Sequence, residues 1–189
     1  VAEESGATGE AECRWFVDPL DGTTNYAAGF PIYAVTLGFE VRGRLEAGVV
    51  YHPALDDLYW ARRRGGAWRN RERLRASRVD HLQDALLCTG FPYQMKPRLE
   101  NLKYFAEFVR RARAVRRVGA ASLDLCWTAA GVYDGCWEYQ LGPWDVAAGI
   151  LLCREAGAVV TDYSGKPADL FVGEVAAGGF EVRRGGRHG

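Results

Sequence analysis

The chain has 189 residues, of which 48% are hydrophobic and 25% charged, and its 24 basic residues balance 24 acidic ones. That composition suits one globular domain with a real core and excludes a disordered chain. Zero formal charge removes the global pull a polyanion-binding protein would show; no apolar run reaches the roughly 18 residues of a membrane span, and no signal-peptide pattern opens the chain.

Along the chain, Trp15-Phe16-Val17 reads as the end of a strand that stops at Pro19, because proline cannot extend a central ladder. Asp21-Gly22 then turns the chain, and Thr23-Thr24 open a short helix. Residues 33–41, 46–51 and 58–62 read as strands, with turns at Gly43, 53–57 and Gly65-Gly66, so the first half predicts an antiparallel meander. Apolar residues at helical spacing (Leu102, Phe105, Phe108, Val109) predict a helix over 99–115, and a second follows over 122–130. A strand over 133–139, a helix over 143–156, a strand over 158–161, a turn over 162–167 and a short strand over 175–177 complete the reading. No repeat or linker divides the chain, so residues 1–189 form one α/β domain with at least two sheets and helices between them.

Chemistry concentrates in a few places. Asp18 and Asp21 set two carboxylates three residues apart, followed at once by Gly22 and Thr23. A pair of acids beside exposed N–H groups places a hard-cation site next to an anion site, as metal-assisted phosphate chemistry requires. The alternative makes both acids turn and cap residues. Downstream, Gly142-Pro143-Trp144-Asp145 opens a helix, with proline suited to the first turn and Asp145 stabilised by the positive helix end. Asp145 is equally an ordinary first-turn aspartate. The small residues at 147–149 allow that helix to pack closely, and Glu138 ends the preceding strand in the same neighbourhood. Val118-Gly119-Ala120-Ala121 opens another helix, whose N–H groups suit an anion or whose small residues simply pack.

Cys13, Cys88, Cys126, Cys136 and Cys153 lie scattered in apolar runs without C-x-x-C spacing, which suits buried free thiols and a reducing cytoplasm. His52, His81 and His188 form no cluster, and His52 before Pro53 reads as a loop residue. Apart from Lys96, Lys103 and Lys166 the basic residues are arginines, clustered at 62–64, 69–78 and 110–117. With no aromatic-interleaved motif beside them they read as solvated surface, which does not favour a nucleic-acid partner.

Asp18-Pro19-Leu20-Asp21-Gly22-Thr23-Thr24, followed far downstream by Trp144-Asp145-Val146-Ala147-Ala148-Gly149, resembles the inositol monophosphatase family, bacterial type. The likeness runs from Ala2-Glu3-Glu4-Ser5 to about Ala177 and includes Thr89-Gly90-Phe91-Pro92-Tyr93. It implies a layered sugar-phosphatase fold and a magnesium-dependent, lithium-sensitive phosphomonoesterase that hydrolyses myo-inositol 1-phosphate. By position, the resemblance makes Glu3, Asp18, Asp21, Asp145 and the Leu20 carbonyl metal ligands, with Glu3, Asp21 and Thr23 acting in catalysis. Gly22 and Thr23 would present N–H groups to phosphate, and the Thr23 hydroxyl would orient the attacking water. Glu138, Gly119, Ala120, Ala121 and Asp145 would contact the substrate. D-P-L-D spacing, unlike the D-x-D of aspartyl-phosphate phosphatases, points to activated water rather than a phosphoenzyme.

The chain also departs from that pattern. Its first landmark is already Glu3, so an N-terminally truncated family domain is expected; if these residues were the whole molecule, a sheet edge and an apolar face should stand open. Ala2 replaces a common glycine and Ala120 a common hydroxyl residue. The family resemblance leaves other substrates open (fructose 1,6-bisphosphate, histidinol phosphate, 3′-phosphoadenosine phosphates). It allows a homodimer, and it allows a non-catalytic relative that binds RNA or the transcription machinery.

Overall fold

The computed structural model describes residues 1, 12–92 and 94–179. Eleven strands and four α-helices are found among them. The first sheet holds β1 (Cys13–Asp21), β2 (Ala34–Val41), β3 (Arg44–His52), β4 (Asp57–Arg62), β5 (Gly66–Arg69) and β6 (Glu72–Arg73), in that spatial order and antiparallel throughout. A five-residue helix, α1 (Thr23–Ala27), sits in the β1–β2 connection. The meander expected from the turn signals is therefore present, each strand pairing with the next in sequence.

The second sheet has the order β10-β11-β9-β7-β8, built from β7 (Leu86–Thr89), β8 (Ala114–Arg116), β9 (Gly135–Tyr139), β10 (Val159–Thr161) and β11 (Glu174–Gly178). β7 runs parallel to both β8 and β9, whereas β11 is antiparallel to its two neighbours. Two helices, α3 (Ala121–Ala129) and α4 (Pro143–Glu155), lie between the sheets: α4 packs on the meander, and α3 joins it to β7, β9 and β11. Every α4 residue from Val146 to Cys153 is buried, because this helix has apolar neighbours all round. The remaining helix, α2 (Met95–Arg111), covers the outer face of the second sheet, where Phe105 and Phe108 pack with Leu87 and Trp137. No helix among the described residues is long and apolar enough to cross a membrane.

Four expectations need correction. β1 does not stop at Pro19 but continues to Asp21, with a register irregularity between Asp18 and Asp21. Proline is tolerated there because β1 is the edge strand of its sheet and the missing N–H leaves no central ladder unpaired. The helix expected over 99–115 begins earlier and ends at Arg111; residues 114–116 instead form β8, captured by parallel pairing with β7. Of its four periodic residues, Phe105 and Phe108 face the core, while Leu102 and Val109 are exposed. Cys13 is exposed, unlike the other four thiols. His52 ends β3 fully buried, with Nε2 at 2.9 Å from the Pro31 carbonyl, rather than lying in a loop.

The sheet edge at β1 is partly occupied: the Val17 amide donates to the Val1 carbonyl at 3.0 Å, and the Val1 ammonium donates to Trp15 O at 2.7 Å. The meander face turned away from α4 carries Trp15 against Phe39 and Trp60 against Trp68, all half-buried or exposed.

Candidate active site

The irregular end of β1 is where the site begins. Asp18 is buried, and its Oδ1 accepts the Leu20 amide at 2.8 Å, the i to i+2 contact that folds aspartate into a turn. The Leu20 carbonyl accepts the Thr23 hydroxyl at 2.9 Å. Between them Gly22 adopts φ +84°, and a Cβ there would sit 2.8 Å from the Ile32 carbonyl oxygen. Only glycine satisfies both conditions. Asn25 on α1 then donates to the carbonyls of Ile32 (2.7 Å) and Val118 (2.8 Å), tying the Gly-Thr-Thr turn to the loop that precedes α3.

The sequence of that loop suits either an anion at the helix N–H groups or close packing. The anion it receives is internal. Asp21 Oδ2 accepts the Ser122 amide at 2.8 Å and the Ser122 hydroxyl at 2.5 Å, so Asp21 caps α3 from across the fold. Ala120 is buried and Ala121 half-buried beside Gly119, whose φ is +86°.

Asp145 occupies the first turn of α4, as its sequence context predicts. Its Oδ2 accepts the Gly142 amide at 2.8 Å, and Pro143 fills the first helical position. The register of α4 on the meander depends on close approach to two paired glycines. A Cβ at Gly38 would lie 2.6 Å from Ala147 Cβ, and one at Gly48 would lie 2.8 Å from Ala148 Cα. The expectation of close packing at 147–149 therefore holds.

The three parallel strands of the second sheet end at the same place. β7 leads into Gly90, β8 into Arg117, and β9 carries Glu138 next to its last residue. Ligands commonly bind beyond the carboxyl ends of parallel strands. Here those ends meet Asp18, Leu20, Asp21, Gly22, Thr23 and Asp145 in one cleft of about 330 Å³, which Gly119, Ala120 and Ala121 also line. Every predicted site residue within the described part of the chain is thus brought together. Glu3 lies outside the described residues.

Sequence reasoning missed Ser122, Asp124, Arg117, Gly90 and Asn25. Arg117 had been absorbed into a surface cluster, yet it lines the cleft as a cation. Asp124, in the first turn of α3, is fully buried and also lines the cleft; an aspartate among Leu123, Leu125 and Cys126 was the available signal. Neither Asp124 carboxyl oxygen, nor Glu138 Oε1, accepts a hydrogen bond from an N–H or hydroxyl donor among the described residues. Burial, and then the neighbouring Cys136 and Asp21, push the Asp124 carboxyl well above the usual carboxylate range, with hydrogen bonds to Cys88 and Glu138 opposing. Burial, and then Asp124, do the same to Glu138, with the Gly90 amide and Arg117 opposing.

The donors around the cleft are carboxylate, carbonyl and hydroxyl oxygens, and among the described residues no thiol or imidazole lines it. Such a set fits a hard divalent cation. Among the described residues no three histidine, cysteine or acidic side chains converge closely enough to enclose an ion by themselves. Magnesium does not need such a cage, since it binds through one or two carboxylates and fills its remaining positions with water and phosphate.

Comparison with known proteins points to one family. The profile of the inositol monophosphatase family matches residues 1–186. An inositol-1-monophosphatase from Mesorhizobium japonicum is 44% identical over 187 residues, covering 97% of this chain and 70% of that protein. The Nus factor SuhB of Vibrio cholerae is 42% identical over 180 residues, covering 94% of this chain and 67% of that protein. Among solved structures, inositol monophosphatase from Anabaena (Nostoc) superposes with a TM-score of 0.91 at 40% identity, covering 96% of this chain and 73% of that one.

Proposed function

The chain belongs to the inositol monophosphatase family, and we propose that it hydrolyses the phosphate monoester of a small polyol, with myo-inositol 1-phosphate as substrate and Mg²⁺ as cofactor. The observation that carries this reading is the convergence of Asp18, Asp21, Asp145, Glu138 and the Gly22-Thr23 turn on one cleft.

In this reading Asp18, Asp21 and the Leu20 carbonyl would hold one cation and Asp145 a second, their orientations set by the contacts to Leu20, Ser122 and Gly142. Bound Mg²⁺ supplies Lewis acidity toward the phosphoryl oxygens and the departing alkoxide. The amides of Gly22 and Thr23, with Arg117, bind the phosphoryl group. The Thr23 hydroxyl gives its proton to the Leu20 carbonyl, so its oxygen faces an attacking water as an acceptor and holds that water in line. Water adds to phosphorus, the P–O ester bond breaks, and the alcohol leaves with a proton. Glu138 Oε1, unpartnered among the described residues, receives a hydroxyl of the alcohol moiety.

The test is a substrate panel in Mg²⁺: myo-inositol 1-phosphate, fructose 1,6-bisphosphate, histidinol phosphate and 3′-phosphoadenosine 5′-phosphate. This reading expects the highest kcat/KM for the inositol ester; a nucleotide or histidinol ester in first place contradicts it. A second reading is favoured by the names of the SuhB relatives. It makes the chain a partner of the transcription machinery, and RNA or polymerase binding that weakens steeply with salt would support it.

A further inference from the structure

We propose that Asp124 is a positioning residue of the cleft: it backs the Glu138 carboxyl and, with Gly90 also close against it, leaves that carboxyl one direction, toward the alcohol part of the phosphate ester. The proposal rests on the phosphatase reading for its substrate class, and it adds to that reading a residue that sets selectivity for hydroxyl-bearing alcohols.

Three observations carry it. First, the Asp124 side chain does nothing for its own helix. Its amide donates to the Ala120 carbonyl at 3.0 Å and its carbonyl accepts the Thr128 hydroxyl at 2.8 Å, both backbone groups, while the carboxyl group turns to the side chains of Cys88 and Glu138. A fully buried carboxyl is expensive to place in a core, and leucine would be cheaper. Second, Glu138 is confined at Gly90. A Cβ at Gly90 would lie 2.5 Å from Glu138 Oε2, so the glycine is what leaves room for the carboxyl. Third, the same turn of α3 reaches both halves of the cleft. Ser122 holds Asp21 on the phosphate side, and Asp124, two residues on, stands against Glu138 on the alcohol side. The first turn of α3 thereby sets the spacing between the two.

A hydroxyl-bearing ligand entering the cleft brings an O–H donor to the Glu138 carboxyl that Asp124 backs. A site built to pair with substrate hydroxyls discriminates strongly against analogues that lack them.

The experiment compares wild type, Asp124→Asn, Asp124→Ala and Gly90→Ala with myo-inositol 1-phosphate and with phenyl phosphate, in Mg²⁺. Asparagine keeps the shape and removes a buried acid, so that variant folds, and circular dichroism verifies it. Both Asp124 variants are expected to lose about tenfold or more in kcat/KM for the inositol ester, mainly through KM, and about threefold or less for phenyl phosphate. Gly90→Ala, pressing directly on the Glu138 carboxyl, gives the same split. Equal losses for the two esters, or no loss for either, overturn the proposal. Calorimetric titration with free myo-inositol separates this proposal from the phosphatase reading. If wild type turns over neither ester, that reading fails. Polyol binding lost in Asp124→Asn then still supports the role of Asp124, and binding unchanged in that variant, or absent from wild type, overturns it.

Discussion

Asp21 and Ser122 lie 101 residues apart and meet through two hydrogen bonds to one carboxylate oxygen, from the serine amide at 2.8 Å and its hydroxyl at 2.5 Å. The contact fastens the end of the edge strand β1 to the start of α3 and fixes the direction of a carboxylate assigned to the cation. Ser122→Ala removes the hydroxyl and leaves the amide. Hydrogen bonds to charged groups contribute about 1.5–3 kcal/mol, so the variant is expected to melt lower, by about 2–4 °C for each kcal/mol lost. Calorimetric melting and the Mg²⁺ concentration at half-maximal rate should both move; a change in neither would mean the contact positions nothing.

Gly22→Ala should be the most damaging small substitution at the phosphate end. It forces a side chain into φ +84° and drives its Cβ to 2.8 Å from the Ile32 carbonyl. Strain of this kind costs on the order of 1–3 kcal/mol, and relief would rotate the N–H away from the phosphoryl group. Urea midpoints and inorganic phosphate binding should fall together.

Gly38→Ala and Gly48→Ala test whether α4 holds Asp145 in place by close packing on the meander. Each adds a methyl against Ala147 or Ala148, and overpacking of a tight interface costs about 1–3 kcal/mol. The two glycines are directly paired across β2 and β3, so their effects are expected not to add. A double-mutant cycle on chemical denaturation reads the coupling, and strict additivity would place the methyls in separate spaces.

The buried pair Asp124 and Glu138 makes stability depend on pH in a direction opposite to an ordinary salt-bridged acid. Their folded pKa values lie above the unfolded ones, chiefly through burial. The folded chain therefore holds more protons than the unfolded chain, and stability falls as pH rises. Their contribution is fully present below the ordinary carboxylate range and is lost as pH climbs through the raised values. Melting temperature against pH in EDTA should show this decline, and Asp124→Asn should flatten it. A wild-type profile that rises over the same window would contradict the assignment.

Much of the arrangement is legible in the sequence because local chemistry determines it. Gly43, the 53–57 turn and Gly65-Gly66 punctuate alternating strands, and the meander follows. Asp145 lands in a helical first turn because Pro143 precedes it. The parallel strands β7 and β8 were not legible, since strands of three or four residues carry little periodicity and exist through pairing with distant partners. Pro19 misled because the edge position of β1 is a tertiary fact. Ser122 and Asp124 were hidden for a similar reason: a serine and an aspartate at a helix start read as local caps, whereas here one holds Asp21 and the other stands behind Glu138. Leu102 and Val109 share the helical period of Phe105 and Phe108, yet only the phenylalanines meet the second sheet.

Phosphate release from myo-inositol 1-phosphate, measured for wild type and Asp21→Asn in Mg²⁺ and in EDTA, tests the central assignment most directly. The cleft described above predicts turnover by wild type in Mg²⁺ alone and background rates in the other three conditions, with both proteins folded by circular dichroism. Turnover that persists in EDTA, or that survives Asp21→Asn in Mg²⁺, would contradict it.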